Sequence, residues 1–209
     1  MEFTDYVNRC IGIFKEAKRK KMIASRVARG RAGSCSAECE NLLAVAVSEI
    51  LPQKYTLLVD YPLSISRQGA ARAETFYPDI AILCENKLVG VLEIKNDLGY
   101  MSEDWANKSG ENLEKLQSTV SITYREDVNV PSSELHSIEP AKPMRHAVIV
   151  ISGKNAHGRM AALQARHKCF ILMPKHHPND FDVDRKVGDI LKSPAGWNDM
   201  REYLSSQYQ

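Results

Sequence analysis

The stretch FYPDIAILCENKLVGVLEIKND, Phe76 to Asp97, constrains the fold more than any other part of the chain. Two apolar runs flank Glu85-Asn86-Lys87, so Tyr77–Cys84 and Leu88–Lys95 read as the arms of a β-hairpin. Side chains alternate faces along a strand. Ala81, Leu83, Val89 and Val91 are therefore expected on one face, and Ile80, Ile82, Leu88, Leu92 and Ile94 on the other. Strands apolar on both faces belong inside a sheet that helices cover on both sides. Asp79, Glu93 and Lys95 interrupt this pattern, and their register decides what they can do.

A three-residue turn, Glu85–Lys87, sets Asp79 opposite Glu93, and both share a face with Lys95. A two-residue turn at Glu85-Asn86 would instead send the two acids to opposite faces. Carboxylates paired on an apolar surface repel and lose hydration, which costs on the order of several kcal/mol if unrelieved. Lys95 offsets one charge. A divalent cation such as Mg²⁺, which prefers carboxylate oxygens, offsets the rest. The pattern [DE]-x-K occurs four times, at Glu16, Glu85, Glu93 and Asp184, but only Glu93-Ile94-Lys95 ends an apolar strand. Pro-Asp occurs once, at Pro78-Asp79. On the residues alone two readings stand side by side: a structural salt bridge at an open strand end, and a metal site.

Around the hairpin, periodicity predicts a helix over 3–22 with Tyr6, Cys10, Ile13 and Phe14 as its stripe. Ser36 is placed to cap a second helix, 37–51, that stops at Pro52. A strand over 55–61 and a polar loop over 64–75 precede the hairpin. A helix over 110–124 carries the stripe Leu113, Leu116 and Val120, and a Pro-containing loop, 126–144, leads to a strand over 146–152. A helix, a short strand over 169–173 and a C-terminal helical tail complete the chain. This order predicts an α/β fold with a central mixed β-sheet, a β-hairpin within it, and helices on both faces. Helix 37–51 packs through Leu43, Val47 and Ile50 or Leu51. Glu40 sits one turn earlier, aimed at the sheet, while Glu38 faces solvent. A first-turn glutamate that favours the helix dipole is the plainer account of Glu40.

With 209 residues, 44% hydrophobic and 26% charged, the chain has the profile of one soluble globular domain. No apolar run reaches the length of a membrane span, and the acids-first N-terminus is the reverse of a secretory signal. Five scattered cysteines with no CxxC suit reduced thiols in the cytoplasm; Cys35 and Cys39 read as helix packing. The net charge is +2, but residues 1–31 hold nine basic and three acidic residues, a net +6, and the rest of the chain is −4. The basic run KEAKRKKMIASRVARGR suits either a solvated helix face or phosphate contacts. Ser152-Gly153-Lys154 lacks the Gly-rich loop of a nucleotide site, and no GxSxG is present. His167, Cys169, His176 and His177 lack zinc spacing and read as surface residues.

Glu40 in ECENLLAVAV, Asp79 in FYPDIAIL, and Glu93 with Lys95 in VLEIKND, set in the order α-β-β-β-α-β over Ser36–Ser152, resemble the PD-(D/E)xK nuclease superfamily. The resemblance implies a restriction-endonuclease-like core at 36–152, between a basic N-terminal extension, 1–35, and a C-terminal α/β completion, 153–209. It implies a Mg²⁺-dependent DNA endonuclease, of restriction or phage-defence type, with Mn²⁺ able to substitute and no nucleotide cofactor. A Holliday-junction or recombination nuclease, or a non-catalytic nucleic-acid-binding protein on the same fold, are the alternatives. By the same resemblance Asp79, Glu93 and the Ile94 main-chain carbonyl bind the metal, and Lys95 orients the attacking water. Glu40 holds a second metal or a water, Gln117 assists from the following helix, and Asn96 is a further neighbour. Lys18, Arg19, Lys20, Lys21, Arg26, Arg29, Arg31, Arg67 and Arg72 are the candidate DNA contacts. Cutting both strands with one site per chain favours a homodimer.

Overall fold

The computed structural model describes residues 1–19, 22–24, 27–28, 35–69, 71–100, 104–156, 158–180, 188 and 194–209. Helix α1 (Phe3–Arg19) is followed by short strands β1 (Met22–Ala24) and β2 (Val27–Ala28), then α2 (Ser36–Ile50) and β3 (Tyr55–Val59). Next come β4 (Leu63–Arg67), β5 (Glu74–Phe76), β6 (Ile80–Cys84) and β7 (Lys87–Asp97). The chain continues through α3 (Trp105–Gln117), β8 (Thr119–Arg125), β9 (Leu135–Ser152), α4 (Arg159–Arg166), β10 (Cys169–Met173) and α5 (Ala195–Gln207). Eight strands form one mixed sheet in the order β3-β6-β7-β9-β8-β4-β5, with β10 also on β9. Strand β9 is the long central member: it runs parallel to β7 and β10 and antiparallel to β8.

The hairpin is an interior one, as its two apolar faces require. Ile80, Ile82, Leu92 and Ile94 join a core that includes Tyr6 and Cys10 of α1, Leu43 and Val47 of α2, and Trp197 and Leu204 of α5. On the other face, Ala81, Leu83 and Val91 pack with Leu116 of α3, and Val148 and Val150 pack with Leu163 of α4. Helices thus flank both faces of an α/β mixed sheet. Among the described residues no helix is long and apolar enough to cross a membrane.

The turn differs from expectation. Cys84 pairs with Lys87, so the loop is the two residues Glu85 and Asn86, with Glu85 at φ +53°. A bulge then intervenes, because Leu83 pairs with Leu88 but Ile82 pairs with Gly90. The extra residue, Val89, shifts the register by one. Beyond it Ala81 pairs with Val91 and Ile80 with Leu92, the register that a three-residue turn was expected to give. Below the bulge the faces are exchanged: Leu88 packs with Leu83 and Val91, and Val89 packs with the opposite core.

Other boundaries also move. The expected polar loop 64–75 contains β4 and β5, because Leu63 and Ile65 are buried and alternate with Ser64 and Ser66. The expected helix 110–124 is α3 one turn earlier, then a strand; the β-branched Thr119, Val120, Ile122 and Thr123 favour β8, and Val120 is exposed rather than on a core stripe. Strand β9 begins inside the expected loop 126–144. Pro140 and Pro143 lie where its register with β7 breaks, between the pairs Leu88–Pro140 and Gly90–Arg145, a place where a missing N–H is tolerated. His167 and His177 are buried, not on the surface.

Helix α5 is seated on β10 by a close approach, since a Cβ at Gly196 would run into the Ile171 carbonyl. Backbone cannot yield as a side chain can. Gly196→Ala is therefore expected to cost about 2–3 kcal/mol, lowering Tm by roughly 5–10 °C in a thermal melt.

Candidate functional site

Asp79 is the residue before β6, and Glu93 follows Leu92, the last position of β7 paired with β6. Strand β6 ends there, so the Ile94 N–H has no strand partner on that side and donates to Asp79 Oδ2 at 2.5 Å. Lys95 Nζ donates to the same oxygen at 3.3 Å and lies 3.9 Å from Glu93 Oε2. The ammonium therefore bridges the two acids. Asp79 and Lys95 side chains keep 25% and 22% of their exposure, whereas Glu93 keeps 11%.

Glu93 is held from behind. Ser109 Oγ of α3 donates to Glu93 Oε1 at 3.1 Å, and His146 Nε2 of β9 lies 3.5 Å from that oxygen. Burial alone would raise the carboxyl pKa, but His146, the Lys95 charge and Ser109 outweigh it, and the pKa falls below the ordinary value. Ionised Glu93 thus stabilises the fold above the ordinary carboxyl range, and that contribution is lost as pH falls through the depressed pKa.

Glu40 reaches the site from the first turns of α2. Cys35, not Ser36, occupies the N-cap, and no side chain caps the helix there. Ser36 lies inside the first turn instead; its hydroxyl donates to Glu40 Oε1 at 2.9 Å and accepts from Asn96 Nδ2 at 2.9 Å. This relay ties the N-terminus of α2 to the end of β7. Glu40, Asp79, Lys95, Asn96 and Asp97 line one groove of about 390 Å³. Glu38 is exposed, as expected. Asp97 is already satisfied, accepting from Gly99 N at 2.7 Å and Asn155 Nδ2 at 2.8 Å, with buried His177 at 3.9 Å.

Burial raises the Glu40 pKa; Asp79 and Asp60 add to the rise, while Ser36 and Lys95 oppose it. Ionisation of Glu40 is thus less favourable in the fold than in the unfolded chain. A raised carboxyl pKa gives stability that is fully present below the unfolded pKa and is lost as pH rises through the folded one. Glu40→Gln, which can still accept from Ser36, is expected to melt higher than the wild type at pH 7. The gap should close as pH falls into the ordinary carboxyl range. A variant that melts lower at pH 7 would contradict this electrostatic account.

The donor chemistry suits a hard cation. Glu40, Asp79 and the already satisfied Asp97 line the groove with Lys95, Glu93 lies outside that lining, and Asp79 Oδ1 accepts no hydrogen bond among the described residues. The arrangement is open rather than caged. Among the described residues, the group of three whose ligand atoms all lie within 4.8 Å of one another is Glu126, Glu134 and His136, on the β8–β9 turn. Asp79, Glu93 and Glu40 are not converged to that degree, and Mg²⁺ is bound through one or two carboxylates while it keeps several waters.

Other candidates are not brought to the groove. Gln117 is exposed at the end of α3, about 12 Å along the helix from Ser109, in a separate depression with Arg166 and His167. Arg67 is paired with Glu74, and Arg72 is exposed. Lys18 and Arg19 close α1; Lys20, Lys21, Arg26, Arg29 and Arg31 lie outside the described residues. Sequence periodicity points to neither Ser109 nor His146: a helix over 110–124 leaves out Ser109, and nothing in HAVIVIS ties His146 to Glu93. Comparison of the chain with protein-family models, with curated proteins and with solved structures finds no match.

Proposed function

We propose that this chain is a Mg²⁺-dependent DNA endonuclease with a restriction-endonuclease-like core, Mn²⁺ serving in place of Mg²⁺. The observation that carries this reading is the bridging of Asp79 and Glu93 by Lys95 at the ends of two interior strands, beside a groove that also holds Glu40. Asp79, Glu93 and the Ile94 carbonyl would hold the ion, and Glu40 a second ion or a water. Bound there, Mg²⁺ would supply water activation and charge neutralisation at the phosphate. Lys95 would orient the attacking water and stabilise charge that develops on the phosphoryl oxygens. Arg72 and the basic residues before residue 32 would contact phosphates. A homodimer would cut both strands.

A non-catalytic nucleic-acid-binding protein is the second reading. It is favoured by the same ammonium, which already neutralises much of the acid pair without a metal. Supercoiled plasmid, linear DNA and a four-way junction, each incubated with Mg²⁺ and with EDTA, separate the two. Cleavage with Mg²⁺ and none with EDTA is expected. Cleavage that survives EDTA would sink the metal mechanism, and binding without cleavage in Mg²⁺ or Mn²⁺ would favour the second reading. Preferential cutting of the junction would redirect the substrate towards recombination intermediates.

A further inference from the structure

The first two turns of α3 lie over the Glu-x-Lys segment of β7. Trp105 and Ser109 are four residues apart and so share one helix face. Ser109, almost fully buried, donates to Glu93 Oε1 at 3.1 Å. The Lys95 ammonium lies 5.2 Å from the centroid of the Trp105 ring. That ring is itself packed against the cluster of Leu98, Val148 and Val150, so it is anchored by the core.

Resting on the nuclease reading, we infer that Trp105 and Ser109 are positioning residues that set Lys95 and Glu93 for the reaction. Glu93 has two equivalent oxygens, and Ser109 with His146 engages Oε1, which leaves Oε2 directed at Lys95. Lys95 has a long, flexible stem with many rotamers. The aromatic face attracts the ammonium and limits it to the positions from which it reaches both acids. Neither residue need touch the substrate. Each restricts where a reacting or ligating group can go, and misplacement of such groups is costly to rate.

The test uses the full chain with Trp105→Leu, Trp105→Phe and Ser109→Ala, and plasmid cleavage in Mg²⁺. Trp105→Leu and Ser109→Ala are each expected to lower kcat by roughly tenfold to a hundredfold, as loss of supporting contacts does. KM should stay within about twofold, because uniform substrate binding is untouched. Trp105→Phe, which keeps an aromatic face, should recover most of the loss. A second readout needs no metal: the Lys95 Hε resonances should be shifted upfield by the ring, return to ordinary values in Trp105→Leu, and stay shifted in Trp105→Phe. Full kcat in Trp105→Leu and Ser109→Ala would overturn the inference, as would Lys95 Hε at ordinary positions in the wild type. If the wild-type chain cuts no substrate, the nuclease reading fails separately. The placement is then judged by the resonance alone, upheld if shifted and overturned if not.

Discussion

Asp79→Asn is expected to lower Mg²⁺-dependent cleavage by on the order of 10³-fold, about 4 kcal/mol of transition-state stabilisation, while the protein stays folded. The substitution is chosen for what it keeps. Asp79 Oδ2 accepts the Ile94 N–H at 2.5 Å, a bond that an amide oxygen can also accept, so the junction of β6 and β7 is retained. What it loses is the negative charge, on the acid of the Lys95-bridged pair that keeps more of its exposure. Calorimetric titration with Mg²⁺ should show affinity weakened by roughly tenfold or more, since a carboxylate ligand has become a neutral one. An Asp79→Asn protein that cuts as well as the wild type would leave the pair as a salt bridge and remove the basis for the nuclease reading.

Much of this arrangement was legible in the sequence, though not always for the right reason. The pairing of Asp79 with Glu93 was expected from a three-residue turn. The molecule reaches the same register by a two-residue turn and a bulge at Val89. Alternation alone cannot reveal a bulge, because a residue inserted between two apolar positions leaves both strands apolar. Glu40 was legible because a helix stripe fixes direction: Leu43 and Val47 are buried, and the position one turn earlier must point to the same sheet. The strands β4 and β5 were hidden because their outward residues are Ser and Thr in a polar stretch, and Leu63, Ile65 and Phe76 alone are apolar on the inner face. Ser109 and His146 were not legible at all. Each meets Glu93 through tertiary packing of an element distant in sequence, so no local spacing encodes the contact.

The opposite sign is expected at Lys95. Lys95→Gln should lower cleavage by on the order of 10²–10³-fold, as loss of a donor aimed at transition-state charge does, yet bind Mg²⁺ more tightly than the wild type. Its ammonium lies 3.3 Å from Asp79 Oδ2 and 3.9 Å from Glu93 Oε2, so a cation held by the two acids would compete with it for the same oxygens. Removing one positive charge a few ångströms away should tighten binding roughly tenfold, about 1.4 kcal/mol. The acid pair left behind repels, so the variant should melt below the wild type in EDTA. Mg²⁺ should then raise its Tm more than it raises that of the wild type, because ligand binding adds stability only to the folded state. A plain salt bridge gives a different pattern: Lys95→Gln would lower Tm, leave cleavage intact and show no added response to Mg²⁺. Asp79→Asn and Lys95→Gln together therefore discriminate where either alone would not. Both stop the reaction if Asp79 and Lys95 form a catalytic centre, but they move metal affinity in opposite directions.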